Sequence, residues 1–93
     1  MNYYVYILAS RPHGAIYVGF CKDIETRIAE HRTGNGSIHT GRYRIKKLVY
    51  LEPFEDSYSA FCRERELKKW KRKWKTDLIE KQNPDWNDLA EDW

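Results

Sequence analysis

Residues 3–19 read YYVYILASRPHGAIYVG, and this stretch decides the fold. It contains two runs rich in aromatic and β-branched side chains, residues 3–8 and 15–19, separated by a loop with Pro12 and Gly14. Such runs favour β-strands, and proline and glycine between them favour a change of chain direction. The stretch therefore predicts an antiparallel β-hairpin with a longer loop.

A helix is predicted to follow the hairpin. Asp23 is a typical N-cap residue, because its short carboxylate can accept a hydrogen bond from the first helical turn. Ile24 and Ile28 define the apolar side of this helix. We expect the helix to end near Arg32, before a loop in residues 33–43 that is rich in glycine.

The next segments complete the predicted order of elements. Residues 45–51, which include LVYL, predict a third strand that ends at Pro53. Ser57 then begins the longest helix, predicted to run unbroken to about Lys75 or beyond, and the Asn-Pro pair at residues 83–84 prevents further continuation. The order β-β-α-β-α indicates an α+β layer fold.

Length and composition limit the class of protein. The 93 residues suffice for a single domain, and 41% hydrophobic with 15% aromatic content excludes a largely disordered chain. No apolar run approaches the roughly 18 residues of a membrane span, and the first ten residues lack the pattern of a secretory signal. Cys21 and Cys62 are too few for a disulfide scaffold and lack the spacing of a structural zinc site, so we expect a cytoplasmic protein.

The net charge of +3 is unevenly distributed. Residues 41–75 carry twelve Lys and Arg against five Asp and Glu, whereas residues 76–93 carry one against six. A concentrated positive segment on a small domain is typical of proteins that bind a polyanion. The alternative is a solvated basic helix surface without a ligand.

The long predicted helix divides into two faces. Its apolar stripe comprises Tyr58, Phe61, Leu67, Trp70, Trp74 and Leu78, and its basic face comprises Arg65, Lys68, Lys69, Arg72 and Lys73. Such a basic face can lie along a phosphate backbone, which makes these five residues the candidate nucleic-acid contacts.

Four charged or titratable residues lie at the edges of the apolar faces. Glu64 falls three residues from both Phe61 and Leu67, and Glu66 borders the other edge, so helical spacing alone does not choose between the two. A carboxylate in such a position requires a cation, a hydrogen-bond network or a metal. In the first helix Arg27 and His31 lie one turn apart beside the apolar side, where they could line a pocket or have only structural roles.

The remaining chemistry is limited to a few residue types. Tyr4 and Tyr6 share one face of the first strand, and Tyr17 lies in the second. The sequence contains no phosphate-binding GxxxxGK[ST], no GxGxxG, no HExxH and no Ser–His–Asp order. Tyrosine, arginine, histidine and glutamate are therefore the candidate catalytic groups.

Two tripeptides in the hairpin resemble the signature of a known nuclease family. Residues 4–6 read YVY and residues 17–19 read YVG, close to the GIY and YIG that name the GIY-YIG nuclease superfamily. Arg27 follows Tyr17 by ten residues, which is the family spacing for its arginine, and His31 comes four residues later. The ordered set is similar to the small stand-alone bacterial members of that superfamily.

The second half of the chain continues this resemblance. Residues 60–75, AFCRERELKKWKRKWK, are similar to the helix that carries the family's glutamate, which falls on Glu64. Residues 83–89, NPDWNDL, also resemble the stand-alone group. The resemblance covers about residues 3–89 of a single domain that spans residues 1–93 and ends in an acidic tail.

The resemblance implies a small three-stranded antiparallel sheet flanked by helices. It also implies metal-dependent cleavage of phosphodiester bonds in nucleic acid, with structured or single-stranded DNA as the first expectation and RNA as the second, and with one Mg²⁺ or Mn²⁺ on Glu64. By the same resemblance, Tyr6 or Tyr17 would orient or deprotonate the attacking water, and Arg27 would balance charge that develops on the phosphate. His31 would assist by hydrogen bonding or proton transfer.

Some positions depart from the family pattern. Phe20 stands where the repair-nuclease branch has a lysine, and both Asn83 and Asn87 are candidates for a late family asparagine. These 93 residues include no appended recognition domain, so we expect the module to be weakly active, weakly selective, or dependent on a protein partner that supplies target selection. A non-catalytic nucleic-acid-binding module is the alternative, and an adaptor that uses exposed aromatics such as Trp86 and Trp93 is a third possibility.

Overall fold

The computed structural model describes residues 3–33 and 44–93. These contain strands β1 (Tyr3–Ala9), β2 (Ile16–Cys21) and β3 (Lys47–Phe54), and helices α1 (Ile24–Arg32), α2 (Ser57–Lys69) and α3 (Arg72–Gln82). The predicted loop lies outside the described residues from residue 34 to residue 43. Within the described ranges, none of the helices has the length and apolar character needed to cross a membrane.

The three strands form one antiparallel sheet in the order β2-β1-β3, which confirms the predicted α+β class and hairpin. The central strand β1 is the most deeply buried, with residues 5–9 fully excluded from solvent. Tyr6 lies opposite Gly19 on β2 and opposite Leu51 on β3. This register brings the two tyrosine-bearing motifs side by side.

Side chains alternate across a strand, so the apolar residues of β1 point to both faces of the sheet. Helices cover both of these faces. On one face Ile24 and Ile28 of α1 pack with Tyr6 and Leu8. On the other face α2 and α3 contribute Ala60, Leu67 and Ile79, which pack against Val5, Ile7 and Val49. The core is therefore two apolar layers with the sheet between them.

The prediction of one unbroken helix from Ser57 to Lys75 is wrong. Trp70 and Lys71 both have extended backbone, with ψ of 150° and 149°, and separate α2 from α3. Each helix can then direct its own apolar residues, Leu67 and Ile79, into the same core layer.

This break also changes the predicted apolar stripe. Leu67 is buried, but Tyr58, Phe61 and Trp74 are exposed, and Trp70 and Leu78 are half-buried. The buried face of α2 comprises Ala60, Glu64 and Leu67 instead. Glu64 thus lies within the buried face rather than at its edge.

The end of β3 also differs from the prediction. The strand continues through Pro53, which lies opposite Tyr4, and ends at Phe54. Because β3 is an edge strand, a proline that lacks an N–H group is tolerated there. The predicted helix start was confirmed at Asp23, whose Oδ1 accepts a hydrogen bond from the backbone N–H of Thr26 at 3.1 Å.

The C-terminal segment is built into the fold. Trp86, expected to be exposed, is buried, and its indole N–H donates to Glu80 at 2.9 Å. The Asp88 carboxylate accepts from the backbone N–H of Leu48 at 3.1 Å and from Arg32 at 3.1 Å. These contacts attach the chain end to both β3 and α1.

Candidate active site

The site begins with a close approach between the two hairpin strands. A Cβ atom at Gly19 would lie 2.6 Å from the Tyr6 hydroxyl and 3.1 Å from Cε2 of Tyr17. Both distances are shorter than ordinary van der Waals contact. The glycine of the YVG tripeptide is therefore required because the Tyr6 ring lies across it.

His31 joins the two tyrosines from the opposite side. His31 is the last of the three buried residues of α1, after Ile24 and Ile28. Its Nε2 lies 3.3 Å from the Tyr6 hydroxyl. The centroid of its ring lies 6.0 Å from that of Tyr6 and 5.6 Å from that of Tyr17, and the two tyrosine rings are 6.4 Å apart. We call Tyr6, Tyr17 and His31 the ring cluster.

Arg27 brings positive charge to the ring cluster. It lies one helical turn before His31, and its side chain is hydrogen-bonded to that of Tyr6. Its Nε also pairs with Glu30 at 3.1 Å. The guanidinium is therefore held beside the phenol but remains partly exposed to solvent.

Burial controls the protonation of two members of the cluster. Burial raises the pKa of Tyr6 well above its ordinary value, although the Arg27 hydrogen bond opposes the shift. Burial also lowers the pKa of His31, and the positive charge of Arg27 adds to this effect. At neutral pH the Tyr6 phenol keeps its proton and the His31 imidazole is uncharged.

Helix α2 connects Glu64 to the ring cluster through Lys68. The Lys68 ammonium lies 3.0 Å from Glu64 Oε2 and 5.8 Å from the centre of the Tyr17 ring. Glu66, in contrast, lies on the outer side of α2 and pairs with Arg63. The two carboxylates that helical spacing alone could not distinguish therefore occupy different environments, and Glu64, the one chosen by the family resemblance, is the buried one.

The structure thus brings together the five residues proposed for catalysis. Four of them, Tyr6, Tyr17, Arg27 and His31, contact one another directly or through one neighbour, and Glu64 joins them through Lys68. Sequence reasoning missed the bridging position of Lys68. The signal was present, because Glu64 and Lys68 are four residues apart, which is the spacing of paired charges on a helix.

The five basic residues predicted to bind nucleic acid do not share one continuous face. Arg65, Lys68 and Lys69 belong to α2, whereas Arg72 and Lys73 lie in α3 beyond the helix break. Arg72 donates hydrogen bonds to the backbone carbonyls of His13, at 3.1 Å, and Gly14. Lys73 pairs with Asp77 at 3.3 Å. The sequence predicted one continuous basic face only because it predicted one unbroken helix. That arrangement is wrong, because the five residues lie on two separate helices.

The two candidate asparagines differ in their environments. Asn83 is buried, and its amide donates to the carbonyls of Val49, at 3.2 Å, and Asn87, at 2.8 Å. Its side-chain oxygen accepts from the backbone N–H of Asn87 at 3.1 Å. Asn83 therefore holds the C-terminal segment against β3, and Asn87 participates through its backbone.

The donor set around Glu64 fits only a sparsely coordinated metal. Among residues 3–33 and 44–93, no three His, Cys, Asp or Glu side chains are close enough together to hold an ion. A hard cation such as Mg²⁺ commonly takes one or two carboxylates and completes its shell with water and phosphate oxygens. Glu64 supplies one carboxylate for such a shell, and because its Oε2 is paired with the Lys68 ammonium, a bound ion would have to displace Lys68.

Comparison with protein families gives one match over most of the chain. Residues 2–77 match the family described as the GIY-YIG catalytic domain. This range contains all five residues of the candidate active site.

Curated bacterial proteins are similar over nearly their full length. A UPF0213 protein of Staphylococcus saprophyticus is 40% identical over 78 residues, which cover 84% of this chain and 94% of that protein. A UPF0213 protein of Staphylococcus haemolyticus is 37% identical over 79 residues, or 85% and 95% of the two chains.

A solved structure is similar in fold. The solution NMR structure of a UPF0213 protein from Bacillus halodurans aligns with a TM-score of 0.57 and 30% sequence identity. The alignment covers 97% of this chain and 95% of that one. The α+β arrangement and the C-terminal segment are therefore shared over nearly the whole chain.

Proposed function

This chain belongs to the GIY-YIG family, and from that premise we propose that it is a divalent-metal-dependent endonuclease. The family assignment supports a nuclease-type function in general terms. Hydrolysis of phosphodiester bonds in DNA, with RNA as the second substrate, is the specific proposal. The observation that carries it is the connection of Glu64, through Lys68, to the cluster of Tyr6, Tyr17 and His31.

The two tyrosines have different proposed roles. Tyr6 keeps its proton because burial raises its pKa, so it serves as a hydrogen-bonding group that fixes His31 and Arg27. Tyr17 orients the attacking water and, after giving its own proton to solvent, accepts the water's proton as a phenolate, whose negative charge the Lys68 ammonium, 5.8 Å from the ring centre, would balance. Arg27, held beside Tyr6, balances negative charge that develops on the phosphate.

His31 acts as a neutral imidazole in this arrangement. Its lowered pKa leaves a ring nitrogen able to accept a hydrogen bond at neutral pH. We assign it the task of holding the Tyr6 hydroxyl and assisting proton transfer within the ring cluster.

Glu64 would hold one Mg²⁺ or Mn²⁺ by a carboxylate oxygen. When bound, such an ion supplies charge neutralisation at the phosphate oxygens and at the leaving group. Lys68 would release Glu64 in that state, and its half-exposed side chain is long enough to turn toward the nucleic-acid backbone.

The expected partner is nucleic acid, and target selection is assigned to a separate protein. Arg65 and Lys69, like Lys68, are exposed cations on α2, and they would contact phosphates. We place the protein in the cytoplasm, since Cys21 and Cys62 are both free thiols.

The second candidate is a nucleic-acid-binding module without turnover. It is favoured by the ion pair between Lys68 and Glu64, which already neutralises the proposed metal ligand, and by Phe20 in place of a lysine. This module would bind nucleic acid in a salt-dependent manner and yield no product with any metal.

The decisive test compares Glu64→Gln with Glu66→Gln. The two glutamates are two residues apart on α2, but only Glu64 is buried beside Lys68. Purified protein is incubated with labelled single-stranded, duplex and branched DNA, and with RNA, in Mg²⁺, Mn²⁺ or EDTA. We expect cleavage that requires the metal, is lost in Glu64→Gln, and persists in Glu66→Gln.

Two outcomes would contradict the proposal. Robust metal-dependent cleavage by Glu64→Gln would remove the central role of that carboxylate. Binding without cleavage by the wild-type protein, on every substrate and with either metal, would favour the module. Circular dichroism of both variants excludes misfolding as the cause of a lost activity.

A further inference from the structure

Two aromatic side chains on α2 are exposed where solvent contact is unfavourable. Tyr58 is 75% exposed and Phe61 is 42% exposed. The Phe61 ring packs edge-on against the half-buried Phe20 of β2, with centroids 5.8 Å apart and planes at 70°. The Arg65 guanidinium lies 5.7 Å from the Phe61 ring centre. The proposed function uses none of the three aromatic side chains, and it uses Arg65 only as a phosphate contact.

The Phe20–Phe61 pair lies beside Glu64 of the candidate active site. Phe61 precedes Glu64 by three residues on α2, which corresponds to about 4.5 Å along the helix axis. Because side chains alternate across a strand, Phe20 lies on the opposite face of β2 from Gly19 and the Tyr6 ring, on the face that packs with α2. The aromatic pair is therefore near Glu64 along α2 and lies on the other side of the sheet from the ring cluster.

The surroundings of Phe61 are charged rather than apolar. A shallow groove beside it is lined by Cys62, Arg65, Glu66 and Lys69. A surface that binds another protein through its centre is usually depleted in charge. Aromatic faces interleaved with guanidinium and ammonium groups are instead typical of surfaces that stack nucleobases and contact their phosphates.

We propose that Phe20, Phe61 and Arg65 form a stacking platform for one unpaired base of the substrate, next to the phosphate that is cleaved. A base inside a duplex has both faces covered by its neighbours, so only an unpaired or terminal base can offer a face to Phe61. The position beside the cleaved phosphate rests on the proposed nuclease function, whereas the binding of a base does not.

The test uses binding in the absence of cleavage. In the Glu64→Gln background, single-stranded oligonucleotides carry 2-aminopurine at successive positions, because the fluorescence of this base changes when it stacks. We expect a change at one position on binding, and loss of that change in Phe61→Ala. Affinity should fall by about 5- to 150-fold, the range for removal of one base–aromatic stack.

Trp74→Ala is the matched control. Trp74 is also an exposed aromatic with a cation near its ring, Lys71 at 5.7 Å, but it belongs to α3. Trp74→Ala should retain both the affinity and the fluorescence change. An abasic site in place of the base whose fluorescence changes should lower the affinity of the Glu64→Gln protein for the oligonucleotide. The same replacement should hardly change the affinity of the protein that carries both Glu64→Gln and Phe61→Ala.

Three results would overturn the platform. These are equal losses in Phe61→Ala and Trp74→Ala, no position-specific fluorescence change, or equal affinity for fully paired duplex and single strands. With any of these results, the exposed aromatic side chains would bind something other than a base, such as a protein partner. If the wild-type protein cleaves nothing but Phe61 still determines base stacking, the platform stands and the nuclease proposal fails.

Discussion

The Tyr6 hydroxyl lies 3.3 Å from Nε2 of His31, across the interface between β1 and α1. Burial disfavours the charged form of each group, so it raises the pKa of Tyr6 and lowers that of His31. The Tyr6 phenol and the His31 imidazole are therefore both uncharged at neutral pH. Protonation of His31 would place a charge in this buried pair, which couples the stability of the site to pH.

The first prediction concerns the pH dependence of stability. Unfolded histidine has a pKa near 6.5, and folded His31 has a lower one. Below about pH 6.5 the unfolded chain takes up the proton first, so the free energy of unfolding should fall as the pH decreases toward the folded pKa. Above that range the contribution of His31 is fully present.

Urea denaturation at pH 7.5 and pH 5.5 measures this effect. The wild type should lose more stability between the two values than His31→Gln, which cannot titrate. His13 and the carboxylates are common to both proteins, so the difference isolates position 31. An identical pH response of the two proteins would show that His31 is not held neutral by the fold.

The second prediction separates the two tyrosines. If Tyr17 receives the proton of the attacking water, Tyr17→Phe should lower kcat by about 10²- to 10⁴-fold. Tyr6→Phe removes a hydrogen bond to His31 and Arg27 and should have a smaller effect on kcat. Single-turnover cleavage rates for the two variants provide the measurement. A larger loss in Tyr6→Phe would reverse the two assignments.

The third prediction concerns Gly19. A methyl group there would meet the Tyr6 hydroxyl at 2.6 Å, so Gly19→Ala should destabilise the fold by about 1–3 kcal/mol and displace the phenol from His31. Val18→Ala is the control, because Val18 is buried on the opposite face of β2 and its loss costs a similar amount, roughly 1–3 kcal/mol.

Cleavage is then compared at a temperature where both variants are folded. Only Gly19→Ala should lose more activity than the fraction of unfolded molecules explains. If both variants keep the wild-type rate per folded molecule, the close approach of Tyr6 to Gly19 has no part in catalysis.

The fourth prediction distinguishes a structural cation from a binding one. Arg72 donates to the carbonyls of His13 and Gly14, so Arg72→Ala should lower stability by about 1 kcal/mol. Lys69 is exposed beside the groove, and Lys69→Ala should leave stability unchanged. On duplex DNA it should reduce the slope of log K against log salt concentration by about 0.9, the value for one phosphate contact.

Thermal melts and binding titrations at several salt concentrations test both variants. Arg72→Ala could instead leave the melting temperature unchanged and reduce the slope of log K against log salt concentration. That result would show that Arg72 contacts nucleic acid, as the sequence predicted.

The strands and the first helix were predictable because their signals are local. The alternation of YYVYIL and the N-cap at Asp23 act within a few residues. The break at Trp70 and Lys71 was not predictable, since neither residue is a glycine or proline. It depends on distant contacts, including the packing of Leu67 and Ile79 in one core layer and the hydrogen bonds of Arg72 to the hairpin loop.

The candidate active site was predicted as a set of residues rather than as a geometry. Motif order selected Tyr6, Tyr17 and Arg27, but helical spacing could not decide between Glu64 and Glu66. The family resemblance chose Glu64, and the burial of this residue follows from the phase of α2, which is set by Ala60 and Leu67 rather than by the exposed Phe61. The role of Lys68 as a bridge between Glu64 and Tyr17 also depends on tertiary packing.

The C-terminal segment has a consequence for modular reuse of the domain. The family match ends at residue 77, yet Ile79, Asn83, Trp86 and Ala90 are all buried. A fusion or recombination event that cut at the match boundary would transfer every proposed catalytic residue but leave behind part of the core that supports them. The unit that evolution or an engineer must move intact is therefore longer than the unit that sequence similarity delimits.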